Sequence, residues 1–329
     1  MRVWIDTDCG CDDAAALTYL LYHPAVEIVG ISTTFGNTSA DNVTRNVLTL
    51  LDLAGRQGIP VSRGADHPLV VSRTRTGEFV HGPDGLSMQQ RPHALDGLPQ
   101  AQDALAAALR TYEDLTVLAL GPLTTIAQIS PYYSGTRLII LAGAVHGGNR
   151  TPVAEFNAYA DPHALARALT DSWAVTLLPL NIFVKFQVDA EIPSRLSQST
   201  DPLRNALGHI LRGYRAALTQ SDTPSELPDV VAAVYLTDPT IGETTPALVQ
   251  VVLDGPARGQ TIVATTPQHK ILLLASDDEL SAVVGRSQKP EFDLTDELDV
   301  ILQRAPTLIH LVTQLDAQAV ATHFARILL

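Results

Sequence analysis

Short apolar runs and amphipathic stretches trade places along the first two thirds of the chain. Val3, Trp4 and Ile5 form a run suited to a buried parallel strand. Similar runs at 26–32, 59–62, 115–120, 137–141 and 174–178 predict further strands. Between them, 14–21, 40–54, 101–112 and 162–170 read as helices. In the second of these, Val43, Val47, Leu48, Leu50 and Leu51 are spaced to bury one face. Pro122 suits the first turn of another helix, and Asp161-Pro162 reads as a helix start. A helical region over 193–220, a polar loop over 221–226 and an apolar helix from Leu227 follow. This rhythm predicts an α/β fold with a mostly parallel central sheet flanked by helices.

From Pro246 the pattern changes. Segments 247–253, 260–265 and 270–274 predict antiparallel strands joined by turns such as Asp254-Gly255. The tail, 296–329, predicts helix with a break at Pro306. Leu298, Ile301 and Leu302 precede that break, and Leu308, Leu311, Val312 and Leu315 follow it at helical spacing. The expected organisation is a single domain over 1–329, with 246–329 as a small C-terminal β/α extension packed on the core. Segment 64–99 is rich in Gly, Pro, His and Arg and has little periodicity, which marks a functional or mobile loop. No apolar run reaches transmembrane length, so no membrane partner is expected.

With 46% hydrophobic residues in 329, the chain can bury a large core. Its formal charge of −13 disfavours nucleic acid as a partner. Cys9 and Cys11, the two cysteines, are one residue apart and poorly placed to bridge. With Met1-Arg2 running straight into the first strand, a reducing, cytoplasmic setting is expected. Both cysteines read as small loop fillers, with a nucleophilic or redox role as the alternative.

Four carboxylates, Asp6, Asp8, Asp12 and Asp13, stand within eight residues between an apolar strand and an apolar helix. Singly, Asp12 reads as a helix N-cap and Asp8 as a turn residue. As a set they repel one another and are costly to bury, and a hard cation removes both problems. Calcium takes six to eight oxygens, and magnesium keeps several waters. The carboxyl edge of a parallel sheet is also where open α/β folds bind ligands. Further polar residues follow later strands: Asn37 after Gly36, Asn149 after a glycine-rich run, then Glu155-Phe156-Asn157. Asp229, opening the late helix, reads as an N-cap or as a ligand.

The run Asp6-Thr7-Asp8-Cys9-Gly10-Cys11-Asp12-Asp13-Ala14 resembles the DxDxGxDDA signature of the inosine-uridine-preferring nucleoside hydrolases, where a proline usually stands at the place of Cys9. The likeness recurs at Gly36-Asn37, Val43-Thr44-Arg45-Asn46, Gly121-Pro122-Leu123-Thr124 and 149–157, and so covers most of the chain. It implies an open Rossmann-like core, calcium as cofactor, a small-molecule ribonucleoside substrate and a homodimer or homotetramer. By the same resemblance Asp8 is the general base and a metal ligand. Asp13, Asp229 and the carbonyl of Leu120 complete the metal set. Asp12, Asn37, Asn149, Glu155 and Asn157 would hold the ribose, with Phe156 packed on the sugar or filling core. His81 resembles a histidine on a loop beside the family's active site, and reads as a substrate contact, a proton-transfer group or a solvated loop histidine.

One position departs from the pattern. Pro228 stands where the family has the histidine that can protonate the departing base. His81, His146, His209 and Tyr214 are the alternative donors. The implied activity is calcium-dependent hydrolysis of the N-glycosidic bond, giving free base and ribose. Pro228 also leaves room for a ribosyl-binding protein without efficient turnover. A third reading comes from Asp6-Thr7-Asp8, which resembles the start of haloacid-dehalogenase phosphatases. That family expects Thr or Val where Gly10 stands.

Overall fold

Val3 and Ile5 face one side of β1 (Arg2–Thr7) and Trp4 the other, and all three are buried. A strand buried on both faces has helices on both sides of its sheet. In the computed structural model this sheet spans the whole molecule. The structure describes residues 1–73, 77–86, 91–129, 135–184, 186, 187, 189, 191–220, 226–302 and 308–329.

The strands are β1, β2 (Glu27–Thr33), β3 (Val61–Arg63), β4 (Leu115–Ala119), β5 (Arg137–Leu141), β6 (Ala174–Leu178), β7 (Gly242–Val251), β8 (Thr261–Ala264) and β9 (Ile309–Leu315). Their order across the sheet is β3-β2-β1-β4-β5-β6-β9-β7-β8. Strands β3 to β6 run parallel, as does β9 beside β6, while β7 is antiparallel to β9 and β8 to β7. The chain leaves β1 towards β2 and β3, then returns to place β4 on the opposite side of β1. The carboxyl ends of β1 and β4 therefore flank the switch in strand order, where an open α/β sheet leaves a crevice.

The predicted α/β class and all six N-terminal strands are present, with ends shifted by a residue or two. Two corrections concern the C-terminal part. Residues 270–274, expected as a strand, belong to the helix Pro267–Leu274. The hydroxyl of Thr266 accepts the N–H of His269 and Pro267 opens the first turn, so a helix start outweighs the β-propensity of the apolar run. The tail is not continuous helix either. The helix Leu294–Leu302 comes first, β9 follows, and the helix Ala317–Leu328 closes the chain. Ile309 and Leu311 bury on one face of β9 and Val312 on the other. Two-sided burial removes the alternation that would have marked a strand, and leaves spacing that mimics a helix. The expected break at Pro306 and the loop at 221–225 lie outside the described residues. The region 193–220 is two helices, Glu191–Leu196 and Pro202–Gln220.

The first helix, Cys11–Tyr22, is buried almost all round. It packs against the helices Pro202–Gln220, Pro228–Thr237 and Ala317–Leu328. Tyr19 stacks on Phe324 at 6.4 Å between ring centroids, and Phe186 meets Phe324 edge-on at 6.1 Å. Burying side chains of this size contributes about 1.5–3 kcal/mol each. That packing sets two helix N-termini, those of Cys11–Tyr22 and Pro228–Thr237, side by side below the crevice.

Candidate active site

Asp13 is held by three donors. The N–H of Gly10 reaches its Oδ2 at 2.8 Å, the side-chain amide of Asn37 reaches the same oxygen at 3.1 Å, and the hydroxyl of Thr7 donates to Oδ1. Asp8 is fixed differently. Its Oδ2 accepts the N–H of Asn37 at 2.8 Å, and its side chain lies against two glycines. A Cβ on Gly36 would fall 1.9 Å from Asp8 Oδ2, and one on Gly121 would fall 3.0 Å from Asp8 Cβ. The turn between Asp8 and the helix carries strain, since Cys9 has φ of +24°, alone among the described non-glycine residues in a positive φ. Asn46, fully buried on the helix Ala40–Leu53, ties this turn to the long segment. Its amide donates to the carbonyls of Cys9 (3.1 Å) and Asp84 (2.8 Å).

Asp229 sits in the first turn of Pro228–Thr237, but Leu227 takes the N-cap place and no side chain caps the helix. The cap reading of Asp229 is therefore not realised. Its carboxyl instead meets those of Asp12 and Asp13, each offering an oxygen within 4.8 Å of the others, and all three are buried. Burial, then the neighbouring carboxylates, push Asp8 and Asp229 well above the usual carboxylate range and Asp13 up more moderately. Burial pushes Asp12 to about 6. A hydrogen bond between Asp13 and Asp229 needs a proton on one of them. Asp12 Oδ1 is buried with no hydrogen-bond partner. An all-oxygen set of this kind, short of positive charge and holding an orphaned acceptor, suits a hard divalent cation.

A cavity of about 310 Å³ opens above these carboxylates, and Asp8, Asp12, Asp229 and Leu120 line it. The predicted Asn37, His81, Asn149, Glu155, Phe156 and Asn157 line it too. Asp13 stays behind them, outside the lining. Several of these residues have structural duties. Glu155 caps the short helix Phe156–Ala160, and its two oxygens accept the N–H groups of Asn157 (2.9 Å), Gly143 (2.8 Å) and Ala158 (3.0 Å). Burial pushes its carboxyl up to about 7, and those amides pull the other way. Asn149 Oδ1 accepts the N–H of Phe156 at 2.9 Å. Asn157 donates its amide to the carbonyls of Leu120 (2.7 Å) and Leu141 (2.9 Å), which leaves its Oδ1 buried and unpaired. Leu120 O keeps a second lone pair for a cation.

His81 ends the short helix Glu78–His81 and is buried. Its Nδ1 accepts the N–H of Cys11 at 3.1 Å and lies 3.7 Å from Asp12 Oδ1. Accepting that N–H requires a neutral ring, and burial pushes its pKa down to about 4. It is thus a buried member of the site and not a solvated loop residue. Of the other proposed donors, Tyr214 lines the cavity, stacked on His81 at 5.5 Å, while His146 and His209 do not line it. Sequence reasoning missed Phe183, Leu218, Val80 and Glu226, which complete the wall. It also missed the anchoring roles of Thr7 and Asn46. Thr7 and Asn46 fall inside the recognised stretches 6–14 and 43–46, and that was the signal for these two alone.

Residues 3–320 match the family model described as inosine-uridine preferring nucleoside hydrolase. Among curated proteins, the chain is 30% identical over 276 residues to an inosine-uridine preferring nucleoside hydrolase of Leishmania major, covering 80% of this chain and 87% of that one. It is 32% identical over 247 residues to uridine nucleosidase 1 of Arabidopsis thaliana, covering 72% and 71%. Among solved structures, a plant nucleoside hydrolase superposes with a TM-score of 0.82 at 26% identity, over 99% of this chain and 98% of the other.

Proposed function

The chain belongs to the inosine-uridine preferring nucleoside hydrolase family, and from that premise we propose that it cleaves ribonucleosides to free base and ribose with calcium held by Asp8, Asp13, Asp229 and the carbonyl of Leu120. The coarser activity, hydrolysis of an N-glycosidic bond, follows from membership and from the relatives' names. The calcium assignment rests on one observation. Buried carboxylates from two distant helix starts converge at the sheet's carboxyl edge, and among the described residues no cationic side chain lines the cavity. Asp12 stands close enough to share in holding the ion. Bound there, calcium supplies positive charge that makes a neighbouring water easier to deprotonate.

The side chains supply the rest. Asp8, fixed by the Asn37 N–H, accepts the proton of the attacking water. The unpaired acceptors Asp12 Oδ1 and Asn157 Oδ1 suit ribose hydroxyl donors, which would satisfy both. Asn37, Asn149, Glu155 and Phe156 shape the same pocket. The negative surroundings favour positive charge developing on the sugar as the glycosidic bond breaks.

Pro228 lines the cavity and offers no proton, which favours a second reading, a ribosyl binder with little turnover. Incubation with a panel of nucleosides, with calcium or with EDTA, separates the two. Calcium-dependent ribose release supports the hydrolase. Calcium-dependent binding without release supports the binder, and phosphate release from phosphomonoesters alone would overturn both. Among the described residues no helix is long and apolar enough to cross a membrane. Two free, buried thiols fit the proposed cytoplasmic setting. A homodimer or homotetramer is part of the same proposal, and sedimentation checks it.

A further inference from the structure

We propose, on the premise that the chain is a ribonucleoside hydrolase, that the carboxyl of Glu226 is the acid that protonates the departing base. The cavity holds few groups able to give a proton. Asp12 and Asp229 belong to the carboxylate cluster with Asp13, and Asp8 feels the charges of Asp12 and Asp13 beside it. Glu155 has both oxygens committed to backbone N–H groups. The neutral ring of His81 accepts a backbone N–H at Nδ1. Tyr214 donates its hydroxyl to the carbonyl of Glu226 at 3.0 Å.

Glu226 is built differently from all of these. Its backbone is fixed at three places: by the Tyr214 hydroxyl, by a bridge to Gln187, and through the N–H of Leu227 on the carbonyl of Phe186 at 3.3 Å. Its carboxyl has no hydrogen-bond or ion-pair partner among the described residues, yet it lines the cavity. Val80, Phe183 and Leu218 are among the apolar residues of that lining. Burial pushes it up to about 7, and among the described residues no neighbouring cation pulls it down, so a large share carries a proton at neutral pH. It is half-buried, so solvent can recharge it. Two residues on, Pro228 lines the same cavity and cannot donate.

The proton account balances. Glu226 gives its proton to a basic nitrogen or carbonyl oxygen of the base. The C1′–N bond breaks, and its electron pair leaves with the base. A water oxygen bonds to C1′, and that water's proton passes to Asp8. Solvent exchange then returns one proton from Asp8 to Glu226. One water is consumed, and free base and ribose leave.

The test compares two leaving groups. Natural nucleosides need the base protonated, whereas 4-nitrophenyl riboside releases a stable anion unaided. For Glu226→Gln the expected result is a fall in kcat of about 10²-fold or more on nucleosides, the usual worth of general acid catalysis. The kcat on 4-nitrophenyl riboside should be little changed, and thermal melting should show an intact fold. Glu226→Asp, which keeps an acid, should recover part of the nucleoside rate. Equal losses on both substrates, or no loss on nucleosides, would overturn the role of Glu226 and leave the hydrolase reading standing. If the unaltered protein cleaves the nitrophenyl riboside but no nucleoside, Glu226 fails as an acid while ribosyl hydrolysis survives. If it cleaves neither, the hydrolase reading itself falls, and Glu226 with it.

Discussion

The main-chain N–H of Cys11 donates to Nδ1 of His81 across 3.1 Å, joining the first turn of the helix Cys11–Tyr22 to a residue 70 positions further along the chain. That bond fixes the ring as a neutral acceptor at Nδ1 and leaves any ring N–H at Nε2. It also makes the cavity depend on the segment around Gly77 to Leu86, which loosens if His81 is lost. His81→Ala should therefore raise KM for nucleosides and lower kcat, whereas His81→Gln, which can still accept the Cys11 N–H, should keep more of both. Steady-state kinetics on the two variants decide this. Identical behaviour would count against the positioning role.

Asp8→Asn keeps the shape of the side chain and the Asn37 contact but cannot accept a proton. Ribose release should fall by about 10²–10⁴-fold, with the melting temperature held or raised because a buried, repelled carboxylate is gone. Single-turnover assays and calorimetry measure the two effects.

Gly36→Ala forces a methyl into the Asp8 carboxyl, whose Oδ2 lies 1.9 Å from the new atom's position. Activity should drop nearly as far as in Asp8→Asn, and calcium should bind more weakly. Titration of the variant with calcium, followed by thermal shift, checks it.

Removing the ion should expose the repulsion it relieves. A ligand that binds only the folded state adds about 2.7 kcal/mol at a hundredfold excess over its Kd. Calcium should raise the Tm of the unaltered protein, EDTA should reverse the gain, and Asp229→Ala should show almost none of it. A calcium-independent Tm in the unaltered protein would refute the assignment.

Stability should also carry the signature of Glu226. Its folded carboxyl titrates at about 7 against a usual 4.5. Between those values the folded chain holds a proton that the unfolded chain has lost, so stability falls as pH rises through that window. Glu226→Gln removes the penalty. Its Tm advantage over the unaltered protein should be near zero at pH 4.5 and largest at pH 8.

Strands β1 to β6 were legible because each is a short apolar run bounded by turns, and the family likeness rested on side chains that remain local to their motifs. The gathering of the site was legible only in part. Asp8, Asp12 and Asp13 share one loop, so their crowding shows in the sequence. The meeting of Asp229 with them depends on two helices lying side by side, and the likeness supplied that link where periodicity could not. Glu155 and Asn157 turned out to spend much of their bonding capacity on backbone groups, which no pattern of residue types reveals. Glu226 escaped notice because a single glutamate after a polar loop carries no spacing. The two corrections have different causes: β9 is buried on both faces, which blurs its period, and the helix Pro267–Leu274 is set by its start at Thr266 and Pro267, which an apolar run does not display.

The place of β9 governs the order in which the molecule can be finished during synthesis. β6 stays an open edge while residues 179–308 leave the ribosome, because its partner β9 comes only after them. β7 waits for the same partner. A nascent chain stalled before residue 309 would carry two unpaired strand edges and an uncovered Tyr19, a sticky intermediate that holdase chaperones would recognise and that a premature stop would make permanent.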